Sequence, residues 1–344
     1  MDCKDLMMEL SACVGVAGAE SAVAQKCAGM LQDMGAQVTI TPLGNLLATL
    51  RPASADQPMV LLDAHIDEIG LIVTSVGEDG FLRVSNCGGV DRRLLLAQRV
   101  IIHGREEVYG IIASKPPHLE TAEEEKKVPE IDEIVIDTGL TGEQAKALIS
   151  PGDMVTIDVE PTALLNGRIC GKALDDRAGV AAVLRAVELL RDKPLSCGLT
   201  VLLSAQEETG ERGAKTGGFT AAPDIALAVD VSFAYTADAD EHKCGKMGEG
   251  PMIGIAPTLT RAISEQFIEL AKAEKIPYQL EVMGGETSTN ADALGVAGRG
   301  AKTGLLSIPL RYMHTPIEVV QTDDVENTAR LLAAFIEKAG EADV

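Results

Sequence analysis

Two of the chain's five histidines, His65 and His314, lie in acid-containing strings, LLDAHIDEIG and LRYMHTPIEVV, and three further acidic clusters separate them: GKALDDRAG, SAQEETGERGA and ALAVDVSFA. Imidazoles grouped with several carboxylates are the donor set of a two-metal hydrolytic site. His65 and Asp67 are two residues apart, so on an extended chain both point to one face, where the carboxylate can orient the imidazole and raise its basicity. Taken alone, the pair reads equally well as a hydrogen-bonded strand end. Asp175 and Asp176 stand just before a helix beginning near Ala178. A lone Asp there is a helix cap, but two adjacent acids followed by Arg177 repel one another unless positive charge is near. Glu207 and Glu208 are adjacent where a strand enters a loop, so they project differently, one toward a metal and the other toward a water. A proton-accepting carboxylate beside a metal-activated water is the minimum machinery of metal-assisted hydrolysis. A solvated turn is the bland alternative; the glycines of TGERGAKTGG weigh against it, because they allow a tight backbone next to a site. Asp230 falls within the nearly continuous apolar run IALAVDVSF, where an acid is either paired or ligating, because burying it bare is costly. His314, just before Thr315-Pro316, carries less information, since a histidine there can simply end a strand.

These positions need elements that bring them together. In open α/β sheets, ligands bind beyond the carboxyl ends of the strands. His65 closes MVLLDAH, Glu207 and Glu208 follow LTVLLSAQ, Asp230 stands near the end of IALAVDV, and His314 follows LLSIPLRYM. Residues 18–34 carry Val23, Cys27, Met30, Leu31 and Met34 at three- and four-residue steps, the stripe of an amphipathic helix. From about Gly70 to Gly167 the texture is short β-like segments punctuated by GEDG, CGG, KPP and SPGD, with one helix-like stretch, TGEQAKALIS. HLETAEEEKKVPE within it is charged and poor in apolar residues and reads as a mobile loop. After Gly171, helix and strand alternate to the final helical pattern DDVENTARLLAAFIEKAGE. The expected architecture is an α/β domain made of residues 1–69 and 167–344, interrupted by a small all-β module, a partly open barrel, over 70–166.

Composition narrows the partners. With 30 Lys+Arg against 52 Asp+Glu over 344 residues the formal charge is −22, which repels phosphate backbones and anionic lipid. Aromatic residues make up 3% and Trp is absent, so sugar- or base-stacking platforms are scarce. The seven cysteines are dispersed without a C-x-x-C pair, as suits free thiols in a reducing compartment. The first residues hold acids rather than a basic leader, and no stretch reaches the roughly 18 apolar residues of a membrane span. A soluble cytoplasmic protein is expected.

Taken in order, DAHIDEIG, GKALDDRAG, AQEETGERGAKT, ALAVDV and SIPLRYMHTPIEVV resemble the co-catalytic metallo-aminopeptidases of metallopeptidase family forty-two, the tetrahedral aminopeptidases, several of which have been called endoglucanases. The likeness runs almost end to end and includes GGVDRRLLLAQRV, SKPPH and TNADA. It implies a zinc-exopeptidase-like mixed sheet flanked by helices and a site for two zinc or two cobalt ions. By that pattern His65 and Asp230 hold one metal, Glu208 and His314 the other, and Asp175 bridges them. Glu207 is the general base and Asp67 orients His65. In related enzymes the first acid of the Asp175–Asp176 pair ligates and the peptide after it is cis, and the metal-binding Glu directly follows the catalytic one. Ligation by N and O atoms alone suits Zn, Co or Mn. The implied reaction is hydrolysis of the first peptide bond of substrates with a free α-amine. The β module is implied to be a PDZ-like dimerisation domain, with dimers joining into a dodecamer and the loop Glu120 to Lys127 facing a neighbouring subunit's site. MGGETSTNADAL departs from the pattern: its Glu286 is either exposed or shapes the preference for the substrate's first side chain.

Two other hydrolases are rivals. A glycoside hydrolase also uses paired carboxylates, but it needs no histidine pair and favours aromatic platforms. A metal-dependent deacylase shares the donor set, so sequence separates it poorly from a peptidase.

Overall fold

A computed structural model describes residues 2–123 and 127–340. Its principal element is an 11-stranded sheet, whose main path runs Gln37–Ile40, Leu46–Arg51, Gly198–Ser204, Met59–His65, Ile225–Phe233, Lys302–Arg311, Glu318–Gln321, Arg168–Gly171, Thr162–Leu164. The strands at its centre, Gly198–Ser204, Met59–His65, Ile225–Phe233 and Lys302–Arg311, are mutually parallel. They are covered on both faces, which is why each reads as an unbroken apolar run. Along Met59–His65 the two-residue period sorts the side chains. Val60, Leu62 and Ala64 meet a layer containing helices Cys3–Ala12, Ser21–Asp33, Leu174–Leu190, Arg261–Ala273 and Thr322–Lys338, whereas Leu61 faces the layer of Arg212–Ala221 and Asn290–Val296.

Helix Arg212–Ala221 occupies the glycine-rich stretch that sequence alone reads as tight loop backbone. Close contact explains the glycines: a Cβ on Gly213 would lie 2.2 Å from the Ala205 carbonyl oxygen, and one on Gly217 2.5 Å from Leu202 Cδ2. Their low helix propensity, about 1 kcal/mol each against Ala, is outweighed by the approach they permit.

The inserted module is a closed barrel in the order Gly70–Val76, Leu82–Cys87, Val135–Asp137, Glu107–Ile112, Arg99–His103, Met154–Ile157. It is not partly open: Gly70–Val76 pairs antiparallel with both Leu82–Cys87 and Met154–Ile157, which joins the ends of the sheet. Closure removes the unpaired edges that a small sheet would otherwise expose. Residues 162–164, within the 70–166 span expected for the insertion, instead form a hairpin with Arg168–Gly171 in the large sheet. Asn166 and Gly167 both take positive φ there, the hairpin signature of an Asn-Gly pair. Of the charged segment Glu120 to Lys127, residues 124–126 lie outside the described residues. Among the described residues no helix is long and apolar enough to cross a membrane.

Candidate metal centre

The carboxyl ends of the central strands converge on one place. His65 ends its strand beside Ser204, its partner in register. Two residues past Ser204 the chain turns through Gln206, at φ 58°, and presents Glu207 and Glu208. Asp230 is buried one strand away, in register with Ser307. Asp175 sits where the helix Leu174–Leu190 is non-helical at its first acids, and the Asp175–Asp176 peptide is cis. His314 lies in the turn after Lys302–Arg311, itself at φ 61°.

Asp175 stands at the middle of the arrangement. Its Oδ1 is 3.1 Å from His65 Nε2 and its Oδ2 is 3.3 Å from His314 Nε2. Asp230 Oδ1 lies 4.0 Å from His65 Nε2, and Glu208 Oε1 lies 3.2 Å from His314 Nε2. Two donor groups result, His65–Asp175–Asp230 and Asp175–Glu208–His314, and Glu207 joins His65 and Glu208 in a third of similar compactness. The far nitrogens are tied to acceptors: His65 Nδ1 lies 3.2 Å from the Asp67 carbonyl oxygen, and His314 Nδ1 lies 3.1 Å from the Gly89 carbonyl oxygen. A carbonyl only accepts, so each Nδ1 donates, and in the neutral ring Nε2 is the nitrogen left with a lone pair toward the centre. Asp67 therefore touches His65 chiefly through its main chain. Its carboxylate, 3.5 Å from the ring, accepts the backbone N–H groups of Glu207 at 3.0 Å and Glu208 at 3.1 Å.

This donor set fits divalent cations. Asp67, Asp175 and Asp230 are buried, Glu207 and Glu208 partly so, and no Lys or Arg makes an ion pair with any of them among the described residues. Bare burial pushes Glu207 up to about 7, and burial together with the charges of Asp176 and Asp175 pushes Asp230 well above the usual carboxylate range. Burial opposes charging of His65, yet hydrogen bonds from its ring to the carboxylates of Asp175 and Asp67 raise it well above its ordinary value. Hydrogen bonds to Asp175 and Glu208 raise His314 to about 11. The acids thus demand positive charge, and a cation bound at the Nε2 atoms supplies it while displacing those protons.

Arg177 does not supply that charge. Its guanidinium is buried and donates to the carbonyls of Ile66, Leu10 and Cys13 at 2.7 to 3.0 Å, pinning the segment after His65 to the first helix. Asp176 turns away to accept the Gly179 N–H at 3.0 Å, the capping role open to one acid of the pair.

Two residues went unassigned in the sequence. Glu318 is 1% exposed and accepts the N–H of Asp175 at 3.1 Å and of His314 at 2.9 Å, so one carboxylate fixes the backbone of both residues. Its signal, an acid in the apolar string PIEVV, was the same in kind as that of Asp230. Gly89 acts through its carbonyl and its bareness, since a Cβ there would fall 2.7 Å from His314 Nδ1; no side-chain pattern reveals such a role. Glu286 is exposed. A cavity of about 280 Å³ opens beside the centre, reaching from Asp175 and Glu207 past Asp230 to Glu281 and Met283.

Residues 44–331 match the family model of the M42 glutamyl aminopeptidases. The lysyl aminopeptidase of Pyrococcus furiosus is 32% identical over 97% of this chain and 96% of its own length. Among solved structures, the aminopeptidase APDkam598 from the archaeon Desulfurococcus kamchatkensis is 35% identical with a TM-score of 0.91, covering 98% of this chain and 95% of that one. The Pyrococcus horikoshii TET1 peptidase, which can assemble into a tetrahedron or a large octahedral shell, is 29% identical with a TM-score of 0.85, covering 97% of this chain and 99% of its own.

Proposed function

The chain belongs to the M42 aminopeptidase family, and from that premise we propose that it removes N-terminal residues from peptides with two divalent ions, Zn, Co or Mn, at the centre described. The observation that carries the reading is the position of Asp175, whose two oxygens face two different imidazole Nε2 atoms. His65 and Asp230 would hold one ion, Glu208 and His314 the other, and Asp175 both. When bound, such ions polarise a carbonyl and acidify water.

The chain's own groups do the rest. Glu207 projects from the same turn as Glu208 with no side-chain hydrogen bond among the described residues, and burial raises its proton affinity toward neutrality. It takes the proton of the attacking water and returns it to the departing amine nitrogen. Asp67 holds the two N–H groups that set the direction of Glu207 and Glu208, so base and ligand are positioned by one carboxylate. The cavity beside Asp230 takes the substrate's first side chain. Paired imidazoles bridged by a carboxylate favour this reading over a glycosidase, which needs two carboxyl groups across a sugar ring.

In the same reading residues 1–69 and 167–344, with the sheet strand Thr162–Leu164 added, form the catalytic domain, working in the cytoplasm, and the barrel joins two chains. The barrel strand Glu107–Ile112 turns Tyr109 and Ile111 outward, 63% and 52% exposed, where a second copy would cover them. Dimers would build a dodecamer.

Purified protein should contain two divalent ions per chain, release free amino acids from unblocked peptides, and lose activity to a chelator. Glu207→Gln should keep its metal and lose about 10²-fold or more in kcat. Equal cleavage of N-acetylated peptides, or chelator-resistant turnover, refutes the assignment.

A further inference from the structure

We infer that Glu281 makes the side-chain cavity selective for a cationic first residue, lysine or arginine. This rests on the aminopeptidase reading and extends it to substrate class. Glu281 lies on the short strand Gln279–Val282, where the usual alternation is inverted: Leu280 and Val282 are 53% and 74% exposed, while the acid turns inward to line the cavity. Its register partner on the neighbouring strand, Gly254, has no side chain to block that path. The carboxylate is held in place from both sides, accepting the hydroxyl of Ser232 on one oxygen and that of Ser307 on the other, the latter at 2.6 Å.

Both serines tie Glu281 to the centre. Ser232 lies two residues beyond Asp230 on the same strand face, about 7 Å along, and Ser307 is Asp230's partner in register one strand over. The acid therefore sits about one long side chain from the groups that would hold the scissile bond. Leu305, Met283, Met313 and Phe233 in the cavity wall offer contact to a methylene stem, beside the hydroxyl-bearing Thr287, Ser288 and Thr289. No lysine or arginine lines it among the described residues, and the side-chain partners of the Glu281 carboxylate are the two serine hydroxyls. An ionised carboxylate has about four lone-pair sites, and two hydroxyls leave room for an ammonium or guanidinium. An acidic first residue would meet Glu281 as a like charge.

The test compares lysyl-, arginyl-, norleucyl- and glutamyl-aminomethylcoumarin on the metal-loaded enzyme. Norleucine matches the lysine stem without its charge, so kcat/KM for lysyl over norleucyl substrate isolates the Glu281 contribution. The ratio should exceed tenfold in the native chain, with the glutamyl substrate poorest. It should fall at least tenfold in Glu281→Gln and, through loss of one anchoring hydroxyl, several-fold in Ser307→Ala, with metal content by elemental analysis unchanged in both. A lysyl-to-norleucyl ratio near one, or a ratio that survives Glu281→Gln, overturns the proposal while leaving the aminopeptidase reading standing. Failure to cleave any of the four substrates refutes that reading and this one with it.

Discussion

Glu318→Gln separates a positioning role from a merely structural one. The native carboxylate accepts two buried N–H groups, from Asp175 at 3.1 Å and His314 at 2.9 Å. A hydrogen bond to a charged group contributes about 1.5–3 kcal/mol. Glutamine keeps one oxygen acceptor and sets an amide donor against the second N–H, so one bond is lost and one buried donor orphaned, a cost of about 2–3 kcal/mol. His314 stands at φ 61°, in the left-handed region, where a non-glycine residue costs of order 1–3 kcal/mol and is held only by its surroundings. Its N–H is therefore the bond whose loss lets the ligand drift. The charge has an opposing effect. Burial, and then the negative charge of Asp175, push the Glu318 acid well above its usual range, so in the absence of cations its ionised form is itself disfavoured. The neutral substitution relieves that repulsion in metal-free protein but not in loaded protein, where cations neutralise it. The melting temperature of loaded protein should fall by about 5 °C, that of chelated protein by distinctly less, and metal affinity by about 10- to 100-fold. Differential scanning calorimetry with and without metal, and titration against a chromophoric chelator, read these three quantities. Equal melting shifts in the two forms, or unchanged affinity, would refute the reasoning.

Gly89→Ala places a methyl 2.7 Å from His314 Nδ1 and should turn that ring off its ligand direction. Metal titration should then show one site weakened about 10- to 100-fold while a site at His65 persists, and uniform weakening of both would contradict it. Tyr109→Glu with Ile111→Asp on the outer barrel face should shift the protein to monomers in light scattering, with circular dichroism unchanged; an unaltered assembly would move the interface elsewhere.

The parts of this molecule that left a trace in the sequence are those in which polarity interrupts an apolar pattern. Asp230 was visible because a carboxylate inside IALAVDV needs a reason, and His65 because it closes a buried run. The barrel was visible through its turns, although its closure is a matter of long-range register between residues 70–76 and 154–157 that no local pattern encodes. The helix at Arg212–Ala221 was hidden because its glycines answer to Ala205 and Leu202, which are distant in local pattern if near in space. The Asp pair showed in sequence that positive charge must lie near, but not that Arg177 beside it is spent on the carbonyls of Leu10, Cys13 and Ile66. The Asn166-Gly167 hairpin was written in plain turn chemistry, but the uniform β texture around it concealed that its strands join a different sheet.

The hydrogen bond between Gly89 and His314 spans 225 positions of chain and crosses from the barrel side to the last strands of the large sheet. Its geometry selects which nitrogen of the ring is left bare. The ligand His314 thus depends on a carbonyl from a segment far from it in sequence: without Gly89 in place, neither ring nitrogen would be singled out as the donor.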